Sequence, residues 1–364
     1  MMTAKDLQVI DADAHVVETE RTWDFMDPAD AQYKPILLFS QDDPPKRYWQ
    51  VDGKIRGLQP QSLSEMELAE RSRKSGKNIV TPQAAREMDD VELRLKDMDR
   101  LGIDVQVLHN TLWIEHVTDR PDVERAMNRS WNRWLADIWK QGAGRLRWSC
   151  VPPWMSLDAA IEEIQFAKEN GAVAVTMRPI EGNRTMIDPY FYPIYEEAAR
   201  LDLAIIVHIA NGNSGILDLL RSPYDPGTAF GLFRIPAVAS CHALIMSDIP
   251  QLFPTLRWGF IEASAGWVPW VITEAKNRYQ GAGRKFPDNV LKEYNIYVTC
   301  QTDDDIPYIL QCAGEDNIVI GTDYGHFDPS SEVDAISVFK EMDGMSDTAM
   351  TKILLDNPKA LYGL

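Results

Sequence analysis

Eight short apolar, β-branched runs alternate with longer amphipathic segments from one end of this chain to the other, and few folds accommodate that order. The runs are LQVIDAD (7–13), IDVQVL (103–108), LRWSCV (146–151), AVAVTMRP (172–179), LAIIVHI (203–209), LRWGFIE (256–262), YNIYVTC (294–300) and NIVIGTD (317–323). Between them apolar residues recur three and four apart, as in Met88, Val91, Leu95 and Met98, and in Val123, Met127, Trp131, Trp134, Leu135 and Ile138. That is the spacing of helices laid against a sheet. SLDAAIEEIQFAKENG adds a capping Ser156 before its helical pattern and Gly171 after it. Strands that each return through a helix form a parallel sheet, and eight of them close a (β/α)8 barrel. The 364 residues exceed what a barrel needs. The surplus falls in insertions at about 27–82, after the first strand, and 211–230, after the fifth. No repeat or linker marks a second domain, so one distorted (β/α)8 TIM barrel is expected over residues 1–364.

Active sites of such barrels lie at the carboxyl ends of the strands, and ionisable residues collect there. VIDADAHVVE (9–18) places Asp11, Asp13 and His15 at every second position, on one face of an apolar strand if the alternation holds. Of only six histidines, His15, His109 and His208 close strands, and His326 follows Asp323 by three residues. Glu262 ends the sixth strand, and Arg178 lies at the end of the fourth. A buried Asp/His group without compensating charge is costly, so Asp13, His15, His109, His208, Glu262 and Asp323 read as metal-competent or acid–base side chains gathered at strand ends. Glu262 is open between a ligand to a second ion, a partner that orients His208 or a bound water, and a plain strand-end carboxylate. His326 could complete the second site or touch substrate. His242 could reach the barrel mouth from its helix as a catalytic group. His109, Arg178 and Trp267 are candidate substrate contacts, Arg178 because a guanidinium matches a carboxylate. Glu18 could hold an ion or cap the next turn.

Taken together, VIDADAHVVE, GAVAVTMRP, IIVHIANGN, FPTLRWGFIEASAGWVPW, NIYVTCQTDDDIPYIL, NIVIGTDYGHFD and KILLDNPKALYGL, in this order, resemble the amidohydrolase superfamily. Within it they are similar to the amidohydrolase-related group that includes aminocarboxymuconate-semialdehyde decarboxylase and γ-resorcylate decarboxylase. The resemblance implies a divalent metal held by Asp13, His15, His208 and Asp323. Three departures bear on the chemistry. Asp13-Ala14-His15 stands where the family usually has His-x-His, which moves the donor set from Zn towards Mn or Fe. Met177 and Arg178 occupy the place of the bridging lysine, which excludes a carboxylated-lysine centre. Glu262 stands where the decarboxylases place a catalytic His.

A divalent ion (Zn, Mn or Fe, one or two per chain) would activate water for attack on an amide, ester or related carbonyl, with Asp323 taking and returning the proton. That makes a metal-dependent hydrolase the first expectation. Non-oxidative decarboxylation of a small carboxylic acid is the second, and a dinuclear Mn/Fe oxygenase the third. No Gly-x-Ser-x-Gly elbow offers another nucleophile. A formal charge of −18 disfavours nucleic acid and anionic membranes as partners, leaving a small-molecule substrate, with assembly into homo-oligomers or with related subunits. Cys150, Cys241, Cys300 and Cys312 sit in apolar sequence without paired spacing, as packed, reduced thiols of a cytoplasmic protein would.

Overall fold

The computed structural model describes residues 7–41, 45–58, 63, 65–221, 224, 227 and 229–364. Its centre is a parallel sheet of eight strands: β1 (Ile10–His15), β2 (Val105–His109), β3 (Leu146–Cys150), β4 (Ala172–Met177), β5 (Ala204–His208), β6 (Trp258–Ile261), β7 (Ile296–Cys300) and β8 (Ile318–Ile320). Each pairs with its sequence neighbour, which is the (β/α)8 TIM barrel expected from the alternation. Helices cover the outside of the barrel and packed side chains fill its inside, so strands such as AIIVH of β5 are buried throughout. The helix Pro121–Gln141 shows how they are held. Its Val123, Met127, Trp131, Leu135 and Ile138 face the sheet, all buried.

Closure between β1 and β8 depends on a few main-chain bonds. The amide of His15 donates to the Tyr324 carbonyl (2.8 Å) and that of Asp323 to the Asp13 carbonyl (2.9 Å). Gly321 permits this approach, because a Cβ there would stand 2.2 Å from the Cβ of Asp13. Below, Ala12, Val107, Ala174, Ile206, Ile261 and Val319 fill the barrel interior with Leu361 and Tyr362 of the last helix. The Tyr362 hydroxyl donates to the Ala12 carbonyl (2.7 Å) and plugs the amino-terminal end.

The first insertion carries structure that its Pro-, Asp- and Lys-rich sequence concealed. Ile36–Phe39, Arg47–Val51 and Lys54–Leu58 form an antiparallel three-stranded sheet, followed by the helix Glu65–Ser75. Trp49 of its middle strand is buried against Trp23. The second insertion holds the helix Ser214–Leu220. Residues 42–44, 59–62, 64, 222, 223, 225, 226 and 228 of these insertions lie outside the described residues. Three cysteines are buried free thiols as expected, but Cys312 is exposed, on the solvent side of the helix Ile306–Ala313. Among the described residues no helix is long and apolar enough to cross a membrane.

Candidate metal centre

The first strand does not keep its alternation. Pairing with β2 shifts register between Asp11 and Ala14. Asp11 therefore does not join Asp13 and His15, as strict alternation would have it. Its carboxylate accepts from the Thr322 amide (3.0 Å), the Thr322 hydroxyl (2.6 Å) and Gln106 Nε2 (2.9 Å). Gln106 in turn accepts from Arg94 Nε (2.7 Å), and Arg94 also donates to the His15 carbonyl and lies 3.6 Å from the centre of the Tyr324 ring. This buried network fixes β1 against the loop after β8. It is a brace for the site rather than part of it.

Above the brace six side chains converge. His15 Nε2 lies 3.4 Å from Asp13 Oδ1, 3.5 Å from Glu262 Oε2 and 3.5 Å from Asp323 Oδ1. His208 Nε2 lies 3.5 Å from Asp13 Oδ1 and 3.3 Å from Glu262 Oε2. His326 Nδ1 lies 2.8 Å from Asp323 Oδ1. None of these six atoms has a hydrogen-bond partner, and all are buried. The histidine tautomers follow from the other ring nitrogens. Nδ1 of His15 faces the Asn110 carbonyl (3.0 Å) and Nδ1 of His208 the Ile209 carbonyl (3.3 Å). A carbonyl only accepts, so both Nδ1 atoms carry the proton and both Nε2 atoms present a lone pair. Thr111 donates its hydroxyl to the Val16 carbonyl (2.9 Å), so it accepts from His326 Nε2 (2.8 Å), and in the neutral ring this puts the lone pair on His326 Nδ1.

Donor atoms of three imidazoles and three carboxylates therefore converge on common ground, where a divalent cation would satisfy them together. The spacing fits as well. Two ligands on an ion with arms of about 2.0–2.2 Å stand roughly 3.0–3.6 Å apart. The residues suit the metal implied by the fold. They divide into two quartets, Asp13/His15/His208/Glu262 and His15/Glu262/Asp323/His326, each with donors within 4.8 Å of one another. Asp323 thus sits beside the first quartet rather than inside it.

The backbone is held to this purpose. Glu262 (φ 66°) and Asp323 (φ 50°) both adopt left-handed conformations, which cost free energy in non-glycine residues and concentrate at functional sites. The Glu262 amide donates to Thr299 Oγ1 (2.7 Å), and Ser331 Oγ donates to Asp323 Oδ2 (2.6 Å). Burial, and next the charge of Asp323, pushes the Glu262 carboxyl well above its ordinary range. Burial opposes a charge on His326, yet Asp323 raises its ring to about 10. Asp323 thus contributes to both shifts, second to burial at Glu262 and against it at His326.

A cavity of ≈ 270 Å³ opens over the cluster. His15, His208 and His326 form its floor, and Trp49, Trp113, Leu112, Ile114, Ile209 and Phe327 its apolar walls. Arg178 lines it too. Glu181 accepts from Arg178 Nε (2.8 Å) and NH2, and the Glu115 carbonyl accepts from NH1 (2.9 Å), leaving two of its five N–H donors uncommitted. Glu18 does not reach the ion site. It accepts from the amides of Thr111 and Leu112 and from Trp131 Nε1, capping the turn after β2.

Three residues proposed from sequence belong neither to the donor cluster nor to the cavity lining. His109 is fully buried beneath it, against the Ala12 carbonyl (3.3 Å) and the rings of His15 and His208, and burial drives it down to about 3. His242 lies in an outer groove with Trp270, Glu274 and Arg278, because its helix turns Cys241, Leu244 and Ile245 inward instead. Trp267 packs on Phe260 (6.3 Å between rings) and against the Ile209–Phe233 cluster behind the wall. Conversely, Asn110, Thr111 and Ser331 set tautomers and orientation, and as neutral residues without characteristic spacing they gave no signal.

Behind Arg178 lies Glu124, buried and accepting from the Met155 amide (2.9 Å). Burial raises its carboxyl to about 7. A carboxyl whose folded pKa exceeds its unfolded value stabilises the fold while protonated and loses that contribution as pH rises through the folded pKa. Glu124→Gln keeps an acceptor for Met155 and is expected to gain on the order of 2 kcal/mol at pH 8. Denaturant titrations at pH 5 and pH 8 check this: equal gains at both would remove Glu124 as the source.

The barrel and its ring of imidazoles and carboxylates at the strand ends define an enzyme of the (β/α)8 class with a metal-binding centre. The family described as Amidohydrolase matches residues 10–364, and the chain belongs to it. The 2-amino-3-carboxymuconate-6-semialdehyde decarboxylase of Dictyostelium discoideum is 20% identical over 282 residues, 73% of this chain and 77% of that one. An amidohydrolase of Mycobacterium avium subsp. paratuberculosis superposes with a TM-score of 0.78 at 19% identity, covering 99% of this chain and 98% of its own. A 5-carboxyvanillate decarboxylase of Novosphingobium aromaticivorans, solved with bound manganese, gives 0.68 at 17% identity over 99% and 98%.

Proposed function

We propose that this chain catalyses metal-dependent, non-oxidative decarboxylation of a small unsaturated or aromatic carboxylic acid that carries a second anionic group. The observation behind this reading is the cavity, which sets Arg178 and the three histidines of the donor cluster, His15, His208 and His326, on the walls of one mostly apolar chamber. Decarboxylases predominate among the relatives named by their reaction, with a 4-oxalomesaconate hydratase beside them, which favours this chemistry over the hydrolysis first expected.

A divalent ion would be held by Asp13, His15 and His208 with Glu262 or Asp323, and when bound it orients and polarises substrate oxygens. The two free donors of Arg178 pair with the second anionic group and fix which end of the substrate faces the cluster. Trp49, Trp113 and Phe327 flank a flat body and strip water from the departing carboxylate. The C–CO2 bond breaks with its electron pair left on carbon, and Asp323 delivers a proton there, so one carboxylate and one proton become C–H and CO2. Glu262 takes the place of the decarboxylases' His, which leaves the proton to Asp323.

The test is CO2 release from a panel of unsaturated and aromatic mono- and diacids by the Mn(II)-loaded protein. Release that stops with chelator and returns with Mn(II) is expected. In Arg178→Met/Glu181→Gln, which removes the buried pair together, KM for the diacid should rise about 10- to 100-fold while kcat moves less. No CO2 from any acid, with amide or ester cleavage under the same conditions, would return the assignment to hydrolysis.

A further inference from the structure

Six unpartnered donor atoms are more than the four residues expected to hold one ion, and their arrangement is not that of one shell. Asp323 falls outside the quartet of Asp13, His15, His208 and Glu262, and forms a second quartet with His326, His15 and Glu262. The rings of His15 and His326 stack at 3.8 Å with an interplanar angle of 28°, whereas His15 meets His208 edge-on at 4.9 Å. His326 therefore lies over a face of the His15 ring, whereas His208 meets that ring edge-on.

His326 Nδ1 and Asp323 Oδ1 lie 2.8 Å apart as an ion pair, and no other group hydrogen-bonds to either atom. With those of His15 and Glu262 their donor atoms lie within 4.8 Å of one another, close enough to share one ion. Thr111 holds the Nε2 proton of His326 and Ser331 holds Asp323 Oδ2, so the two donors cannot turn away. A carboxylate can give one oxygen to each of two ions, and Glu262 stands between the quartets.

We infer that the centre binds a second divalent transition ion, held by Glu262, Asp323 and His326, beside the ion of Asp13, His15 and His208. Two carboxylates and one imidazole suit Mn(II) or Fe(II). The inference concerns ion content and holds whether or not the substrate is decarboxylated.

The experiment strips the full-length protein with chelator, reloads it with Mn(II), removes free ion and measures manganese per chain alongside the electron paramagnetic resonance spectrum. Wild type should hold about two ions with a spin-coupled multiline signal. His326→Ala should hold about one, with the six-line signal of isolated Mn(II), and circular dichroism should show its fold intact. If that variant fails to fold, the wild-type spectrum alone decides. One uncoupled ion per wild-type chain would overturn the inference and reduce His326 and Asp323 to an ion pair, while leaving the decarboxylation assay free to succeed. Two coupled ions without CO2 release would sustain it and remove the proposed reaction instead.

Discussion

Asp323→Asn is expected to lower turnover about 10²- to 10⁴-fold, the usual contribution of a positioned proton donor, while the protein keeps most of its metal. The substitution is mild structurally. Asparagine tolerates the left-handed backbone that Asp323 adopts (φ 50°) better than most residues. Its amide oxygen can still accept from Ser331 Oγ, now 2.6 Å from Oδ2, or offer an oxygen to an ion. What it cannot do is give up or take a proton at working pH. Metal analysis and kcat on the same preparation separate the roles. Undiminished kcat would exclude Asp323 as the proton donor. Metal lost in step with activity would make it chiefly a ligand.

The barrel was legible because its strands are buried on both faces and so read as continuous apolar runs. The observed strands fall within one to three residues of those runs, β1 and β2 running one or two residues further. The antiparallel sheet of the first insertion was not legible. Its edge strand Ile36–Phe39 is half exposed, and the Pro- and Asp-rich segment around it carries no alternation. Position at strand ends singled out Asp13, His15, His208, Glu262 and Asp323 among other residues, and the structure brings the donor atoms of these five into two overlapping quartets with His326. Position misled for His109, which closes β2 but turns below the cavity, and for Asp11, because a register shift leaves no mark in the residue order. His242 shows the limit of helical periodicity. The pattern gives a helix, but which residue of a mostly apolar turn faces outward depends on what packs there.

Gly321→Ala should disable the centre without touching a ligand. The added Cβ would stand 2.2 Å from Asp13 Cβ and 3.0 Å from Asp13 N and Cα. Two of these three are main-chain atoms, so no rotamer change relieves the overlap. β1 and β8 must separate, which strains the bond from the Asp323 amide to the Asp13 carbonyl (2.9 Å). The same shift moves Asp13 Oδ1 away from its stations 3.4 Å from His15 Nε2 and 3.5 Å from His208 Nε2. Overpacking of this kind costs about 1–3 kcal/mol. Displacement of a ligand should weaken the ion roughly 10- to 100-fold, as loss of a residue that orients one does. Gly281→Ala is the matched control, because its Cβ meets nothing within 4 Å and it ends the helix Val268–Gly281. It should keep metal and stability, or gain up to about 1 kcal/mol. Chemical denaturation and Mn(II) retention measured on both variants decide the matter. If Gly321→Ala matches the control in both, β1 and β8 have room to spare and barrel closure does not position Asp13.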